Sequence, residues 1–152
     1  MTKNTVKLCF AVILFSALFF SSCKNRQVDP AVKYRSKLTA VDTTSVVSMA
    51  NAFMDVVKGG DLDQGLSMLK TLDKEGNLIE LDDAKKKSIH SQLTTFPVLD
   101  YTMKSYEFST RISNPITYRI KFAEDPETGT PYMTGFALNA VKIKNEWVLT
   151  IL

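Results

Sequence analysis

Few side chains in this 152-residue chain are candidates for chemistry. There is one histidine, His90, and there are two cysteines, Cys9 and Cys23. Zinc is held by three or four nitrogen, sulfur or oxygen ligands, and one histidine with no free cysteine to join it does not make such a set. The run Asp73-Lys74-Glu75-Gly76-Asn77 places oxygen ligands at alternate positions, as a calcium loop does. Its sixth position is Leu78, where the turn needs glycine, and its twelfth is Ala84, where a bidentate glutamate belongs, so calcium is excluded. Asp82-Asp83 and the pair Asp61 and Asp63 stand at expected helix starts, where capping and the helix dipole account for them. No glycine-rich phosphate loop, nucleophile elbow or glycosidase-like carboxylate pair is present. No metal or cofactor is expected. The position of Cys23, directly after Ser21 and Ser22, is the exception that points to a modification.

Lys3 and Lys7 flank the start of the chain, and Leu8–Phe20 follows without a charge. A cationic start, an apolar stretch of this length and small residues at its end describe a secretory signal peptide over residues 1–22. The run is too short for a transmembrane helix, which needs about 20 apolar residues. Phe20-Ser21-Ser22-Cys23 resembles the lipobox of bacterial lipoproteins, departing from it at Phe20, where that motif usually carries leucine. The resemblance implies cleavage before Cys23, acylation of Cys23 with fatty acids such as palmitate, and lasting attachment by two or three chains. Lys24 stands where aspartate would favour inner-membrane retention, and acidic residues just after the cysteine are absent. By resemblance, the expected location is the cell envelope, on the outer membrane and facing the periplasm. Processing removes Cys9, so the mature chain has no disulfide.

The formal charge of +3 is unevenly spread. Residues 24–41 hold Lys24, Arg26, Lys33, Arg35 and Lys37 against Asp29 alone. From Asp42 onward there are 12 Lys/Arg and 15 Asp/Glu, a net charge of −3, which argues against a nucleic-acid surface. Residues 23–42 read as the lipidated cysteine and a basic flexible tether, with its cations available to anionic headgroups.

The remaining 43–152 read as one α+β domain. Val46, Val47, Ala50, Phe53, Met54 and Val57 recur at helical spacing over Thr43–Lys58, with Thr43 or Thr44 as cap and Gly59-Gly60 as stop. Asp61 opens a second helix as a capping box with Gln64, burying Leu62, Leu66 and Leu69. A third runs from about Asp82 to Thr95 with Ala84, Ile89, Leu93 and Phe96 inward, and Leu78–Leu81 is a short strand candidate. Val98–Ile112 is apolar on both parities and predicts a strand that bends or bulges. Ile116–Phe122 alternates, a turn spans Asp125–Pro131, and Tyr132–Ile143 and Trp147–Leu152 close an antiparallel four-stranded meander.

Helices first, the Gly59-Gly60-Asp61 break, the Phe53-containing helix and a last strand led by Trp147 together resemble the NTF2-like superfamily. Within it the DUF4878-type lipoproteins of Bacteroidota are the nearest likeness, and cystatin-like α+β folds are the alternative. The resemblance implies N-terminal helices on a curved, mostly antiparallel sheet, with a pocket between helix and sheet lined by Phe53, Tyr118, Phe122, Phe136 and Trp147. Some members use that pocket for proton transfer, which needs a base and a donor to the developing oxyanion. His90, Asp100, Tyr101, Tyr106 and Tyr118 are the material for such a site here, and no motif ties them together. The leading expectation is a membrane-anchored, non-enzymatic binding module for a small apolar ligand or an envelope partner, a second copy included. The alternatives are a pocket enzyme of the isomerase or dehydratase type and a protein-interaction or inhibitor domain acting through the sheet face.

Overall fold

The computed structural model describes residues 29–151, and the signal peptide, Cys23 and the first part of the tether lie outside that range. Four helices, α1 (Pro30–Arg35), α2 (Ala40–Lys58), α3 (Leu62–Ser67) and α4 (Asp83–Thr95), pack with six strands. The strands are β1 (Leu69–Leu72), β2 (Leu78–Glu80), β3 (Asp100–Tyr106), β4 (Pro115–Glu124), β5 (Pro131–Ile143) and β6 (Glu146–Ile151). The α+β class stands as expected, but the sheet has six strands in the order β2-β1-β6-β5-β4-β3, not four. The meander β3–β6 is antiparallel throughout. The addition is the hairpin β1–β2, whose first strand runs parallel to β6 through Leu69–Leu149 and Lys70–Thr150. None of the described helices is long and apolar enough to cross a membrane.

Chain ends of the helices follow local chemistry. Asp29 caps α1 by accepting from the Ala31 amide at 2.8 Å, and Pro30 occupies the first turn, where a missing N–H costs nothing. The tether expected over residues 23–42 is therefore partly folded: α1 and the first turn of α2 lie inside it, with Tyr34 and Leu38 against the core. A six-residue helix is too short to show apolar periodicity, so nothing in the pattern announces it. The α2 cap is Thr39, not Thr43 or Thr44; a reciprocal box joins Thr39 to Asp42. At α3 only half of the expected box forms. Asp61 Oδ1 accepts from the Gln64 amide at 2.9 Å, while the Asp61 amide donates to Val56 O as α2 ends. Gly60 takes a φ of 87°, the left-handed geometry that the stop requires. The helix then closes at Ser67, and Leu69 belongs to β1 rather than to a helical row.

The core lies between α2 and the inner face of the sheet. Val46, Ala50, Phe53, Met54 and Val57 face Ile116, Tyr118 and Ile120 of β4 and Phe136, Leu138 and Ala140 of β5. Strand β3 carries the expected irregularity between Met103 and Ser105 but ends at Tyr106. Residues 107–114 instead fold back, with Arg111 O and Asn114 O accepting from the Lys142 and Ala140 amides of β5. Asn114 and Asn139 are buried there and bond each other, Ala140 O and Thr150 Oγ1.

Gly65 shows how closely α3 meets α2. A Cβ built on it would stand 2.9 Å from Val57 Cγ2, a short branched side chain that is itself buried. Alanine is worth about 1 kcal/mol over glycine in a helix interior, whereas overpacking costs about 1–3 kcal/mol. Gly65→Ala is therefore expected to be neutral or destabilising by up to about 2 kcal/mol. A higher urea midpoint in the variant would show that the two helices separate at little cost.

Candidate functional site

Two tyrosines on neighbouring strands approach one face of α2. Tyr118 of β4 is only 2 % exposed and donates to Asn51 Oδ1 at 2.9 Å. Tyr101 of β3 meets its ring edge-on at 5.6 Å and donates to Asp55 Oδ1 at 2.6 Å. Asn51 and Asp55 are one helical turn apart, which puts both acceptors over the two hydroxyls. Burial first, and then the Asp55 carboxylate, pushes the Tyr101 pKa up to about 12. Burial, with further contributions from Tyr101 and Asp55, holds Tyr118 higher still. Both phenols stay protonated at any physiological pH, so each acts as a hydrogen-bond donor to the helix and neither serves as a base.

Beneath them the interior is filled. Phe53 and Phe136 stack nearly parallel with ring centres 5.9 Å apart, and they are 0 % and 5 % exposed. The five residues expected to line one pocket therefore fall into three places. Phe53, Tyr118 and Phe136 are core packing. Phe122 lies nearer the surface, edge-on to Phe96 at 5.0 Å and 6.3 Å from Tyr132. Trp147 stands at the other end of α2, where its indole donates to Asp42 Oδ1 at 2.9 Å.

The acid–base candidates are likewise dispersed. Asp100 is on the surface in an ion pair with Lys58 at 2.8 Å, and the lysine depresses its pKa below the ordinary carboxylate value. Lys58 also lies 5.9 Å from the Tyr101 ring centre. His90 is exposed on α4, on the wall of a groove of about 330 Å³ with Asp63, Leu66, Ser67, Lys86 and Lys87. Its Nδ1 lies 3.4 Å from Thr94 Oγ1 on its own helix. Tyr106 is half exposed, beside Phe108. Tyr101 and Tyr118 are thus brought together, and His90 and Tyr106 make no contact with them among the described hydrogen bonds and ring pairs. Asp55 and Asn51, absent from the sequence-based candidates, complete the tyrosine pair. Their signal was a pair of polar residues four apart beside the apolar stripe of α2.

Asp73 binds its own loop: its carboxylate accepts from the Glu75 and Asn77 amides and from the Asn77 side chain. Among the described residues no group of three or more metal-ligating side chains converges.

No family model matches the chain, and no curated protein sequence matches it. Solved structures do. An NTF-2 like protein of unknown function from Shewanella oneidensis MR-1 is 16 % identical with a TM-score of 0.45, over 70 % of this chain and 93 % of its own. A cystatin-like fold protein of unknown function from Nostoc punctiforme PCC 73102 is 14 % identical with a TM-score of 0.49, over 75 % and 92 %. A putative NTF2-like transpeptidase from Campylobacter jejuni is 14 % identical with a TM-score of 0.36, over 69 % and 96 %. Nothing about activity passes to this chain from likenesses of this size.

Proposed function

We propose that this chain is a lipid-anchored protein of the bacterial cell envelope, cut before Cys23, whose NTF2-like α+β domain is a non-enzymatic binding module working through its outer surface. The filled helix–sheet interior carries the functional half of the reading. Where related folds are expected to hold a pocket, Phe53, Phe136 and Tyr118 pack against one another, and the two phenols are committed to α2. That arrangement favours an envelope partner over an apolar ligand held inside. Of the expected bases, Asp100 is paired at the surface and His90 stands apart on α4; neither tyrosine ionises, and the Asp55 carboxylate is engaged by the Tyr101 hydroxyl. The anchoring half rests on the cationic start, the uncharged Leu8–Phe20 and the Ser21-Ser22-Cys23 sequence.

Two measurements test it. Cells producing the protein are expected to place it in the membrane pellet and to label it with palmitate; Cys23→Ser is expected to remove the label and move the protein to the soluble fraction. Unchanged pelleting of the variant would show that the cysteine is no anchor. Native mass spectrometry of the purified protein is expected to find no retained apolar molecule, and a stoichiometric bound one would overturn the filled interior.

A further inference from the structure

A cleft of about 490 Å³ opens beside α1, lined by Tyr34, Lys37, Leu38, Arg111, Lys142, Lys144 and Asn145. Four of these seven residues are cationic, although the domain from Asp42 onward is net acidic. They come from three distant parts of the chain: the end of α1, the fold-back 107–114, and the β5–β6 hairpin. Lys142 is neutralised by Asp42. Among the described residues Lys37, Arg111 and Lys144 form no ion pair, and all three are exposed. Backbone geometry fixes two of the walls. Lys144 and Asn145 take φ values of 49° and 69°, the left-handed pair that a tight hairpin demands, and Arg111 is held by the bond from the Lys142 amide to its carbonyl. The Tyr34 ring forms part of the α1 wall, with its hydroxyl buried beside the Asn114 side chain. The adjoining groove shares Arg111 and Lys144 but also holds Glu75 and Glu146, so the unpaired positive charge is concentrated on the α1 side.

The geometry points to this cleft as a site for a phosphate-bearing anionic group, and we propose that its occupant is the headgroup of an anionic phospholipid. Guanidinium and ammonium groups around one concavity are the donor set that recognises phosphate oxygens. The choice of a lipid follows from reach, and it rests on the anchored reading of Cys23. Cys23 and Pro30 are seven positions apart, with six residues between them, which even fully extended is about 25 Å. The cleft wall is thus tethered within headgroup range of any membrane that holds the cysteine. Binding there would orient the domain on the membrane, with the hairpin and α1 facing the lipid.

The test uses the protein purified in a neutral detergent, with backbone amide NMR shifts as the readout. Dihexanoyl phosphatidylglycerol is expected to move the amides of Tyr34, Lys37, Arg111 and Lys144 saturably, and dihexanoyl phosphatidylcholine is not. Lys37→Gln and Arg111→Gln should each weaken the affinity about fivefold, the effect of about one basic residue at an anionic surface. Arg111→Lys should retain most of it, which separates loss of charge from loss of fold. Lys86→Gln with Lys87→Gln, a basic pair on α4, should change nothing. Equal shifts with both lipids, shifts confined to other surfaces, or none would overturn the proposal. Inorganic phosphate moving the same amides with equal affinity would assign the cleft to a free oxyanion and overturn the lipid headgroup. None of these readouts depends on acylation, so failure here leaves the Cys23→Ser result to stand or fall by itself.

Discussion

Phe53→Ala is expected to cost about 3–5 kcal/mol of stability, the range for removing a fully buried aromatic ring. Phe53 is 0 % exposed, stacks on Phe136 across the helix–sheet interface, and lies against Gly65 of α3, which has no side chain to fill the vacancy. Urea denaturation measures it: the midpoint should fall while the slope stays constant, because the surface exposed on unfolding changes little. Phe122→Ala is the contrast. Phe122 is only partly buried, near the surface with Phe96 and Tyr132, and its loss should cost about 1–2 kcal/mol. If the two losses were equal and small, the interior would be loosely packed and able to take up a ligand, and the binding module would be of the interior kind.

What the sequence made legible depended on how local the cause was. Helices α2 and α4 were readable from their own apolar stripes, although α2 is capped by Thr39 and Ala84 and Phe96, expected inward on α4, are exposed; Asp82 accepts from the Lys85 amide at 2.7 Å, as an acidic residue at that position should. Alternation revealed β4, since Ile116, Tyr118 and Ile120 point into the core and Arg119 points out. Three features had non-local causes and were missed. The parallel contact of β1 with β6 joins residues eighty apart, and nothing in Leu69–Leu72 specifies that partner. The fold-back 107–114 is fixed by Asn114 and Asn139, whose pairing is visible only once β5 is in place. The basic cleft gathers Lys37, Arg111 and Lys144 from segments that look like a tether, a strand end and a turn.

The candidate site shows the same division. The resemblance grouped Phe53, Tyr118 and Phe136 around one pocket, but a shared order of elements cannot tell the wall of a cavity from the filling of a core. That distinction is set by how closely α2 descends on the sheet. Here Val46, Ala50, Met54 and Val57 share the buried face of the helix with Phe53 and pack beside it in the core. Trp147 was misplaced for a related reason. Its ring packs 5.6 Å from Phe108 at the end of the helix, where its indole N–H reaches an acceptor that a greasy pocket would not supply.

That acceptor, Asp42, is the residue whose removal should cost most among the polar groups. Its Oδ1 accepts from Trp147 at 2.9 Å and from Lys142, and its Oδ2 accepts from the Thr39 amide at 2.9 Å and hydroxyl at 3.0 Å. One carboxylate thus ties the start of α2 to β5 and β6. The side chains of Asp42 and Lys142 are only 12 % and 21 % exposed. Breaking a fully buried pair costs about 3–5 kcal/mol, and partial exposure reduces this, so Asp42→Ala is expected to lose about 2–3 kcal/mol at neutral pH. Much of that loss is Lys142 left without a counter-charge, so adding Lys142→Met to Asp42→Ala should recover part of it. The bond from Lys142, followed by that from the Thr39 amide, holds the Asp42 pKa far below its ordinary 3.8. A carboxylate depressed by folding contributes fully above its unfolded pKa and loses its contribution as pH falls through the folded one. The stability difference between the wild-type chain and Asp42→Ala should therefore be constant above about pH 5 and shrink steadily below pH 4. A difference that persists unchanged to pH 2 would show that Asp42 acts through its shape and its capping bonds, with no part played by its charge.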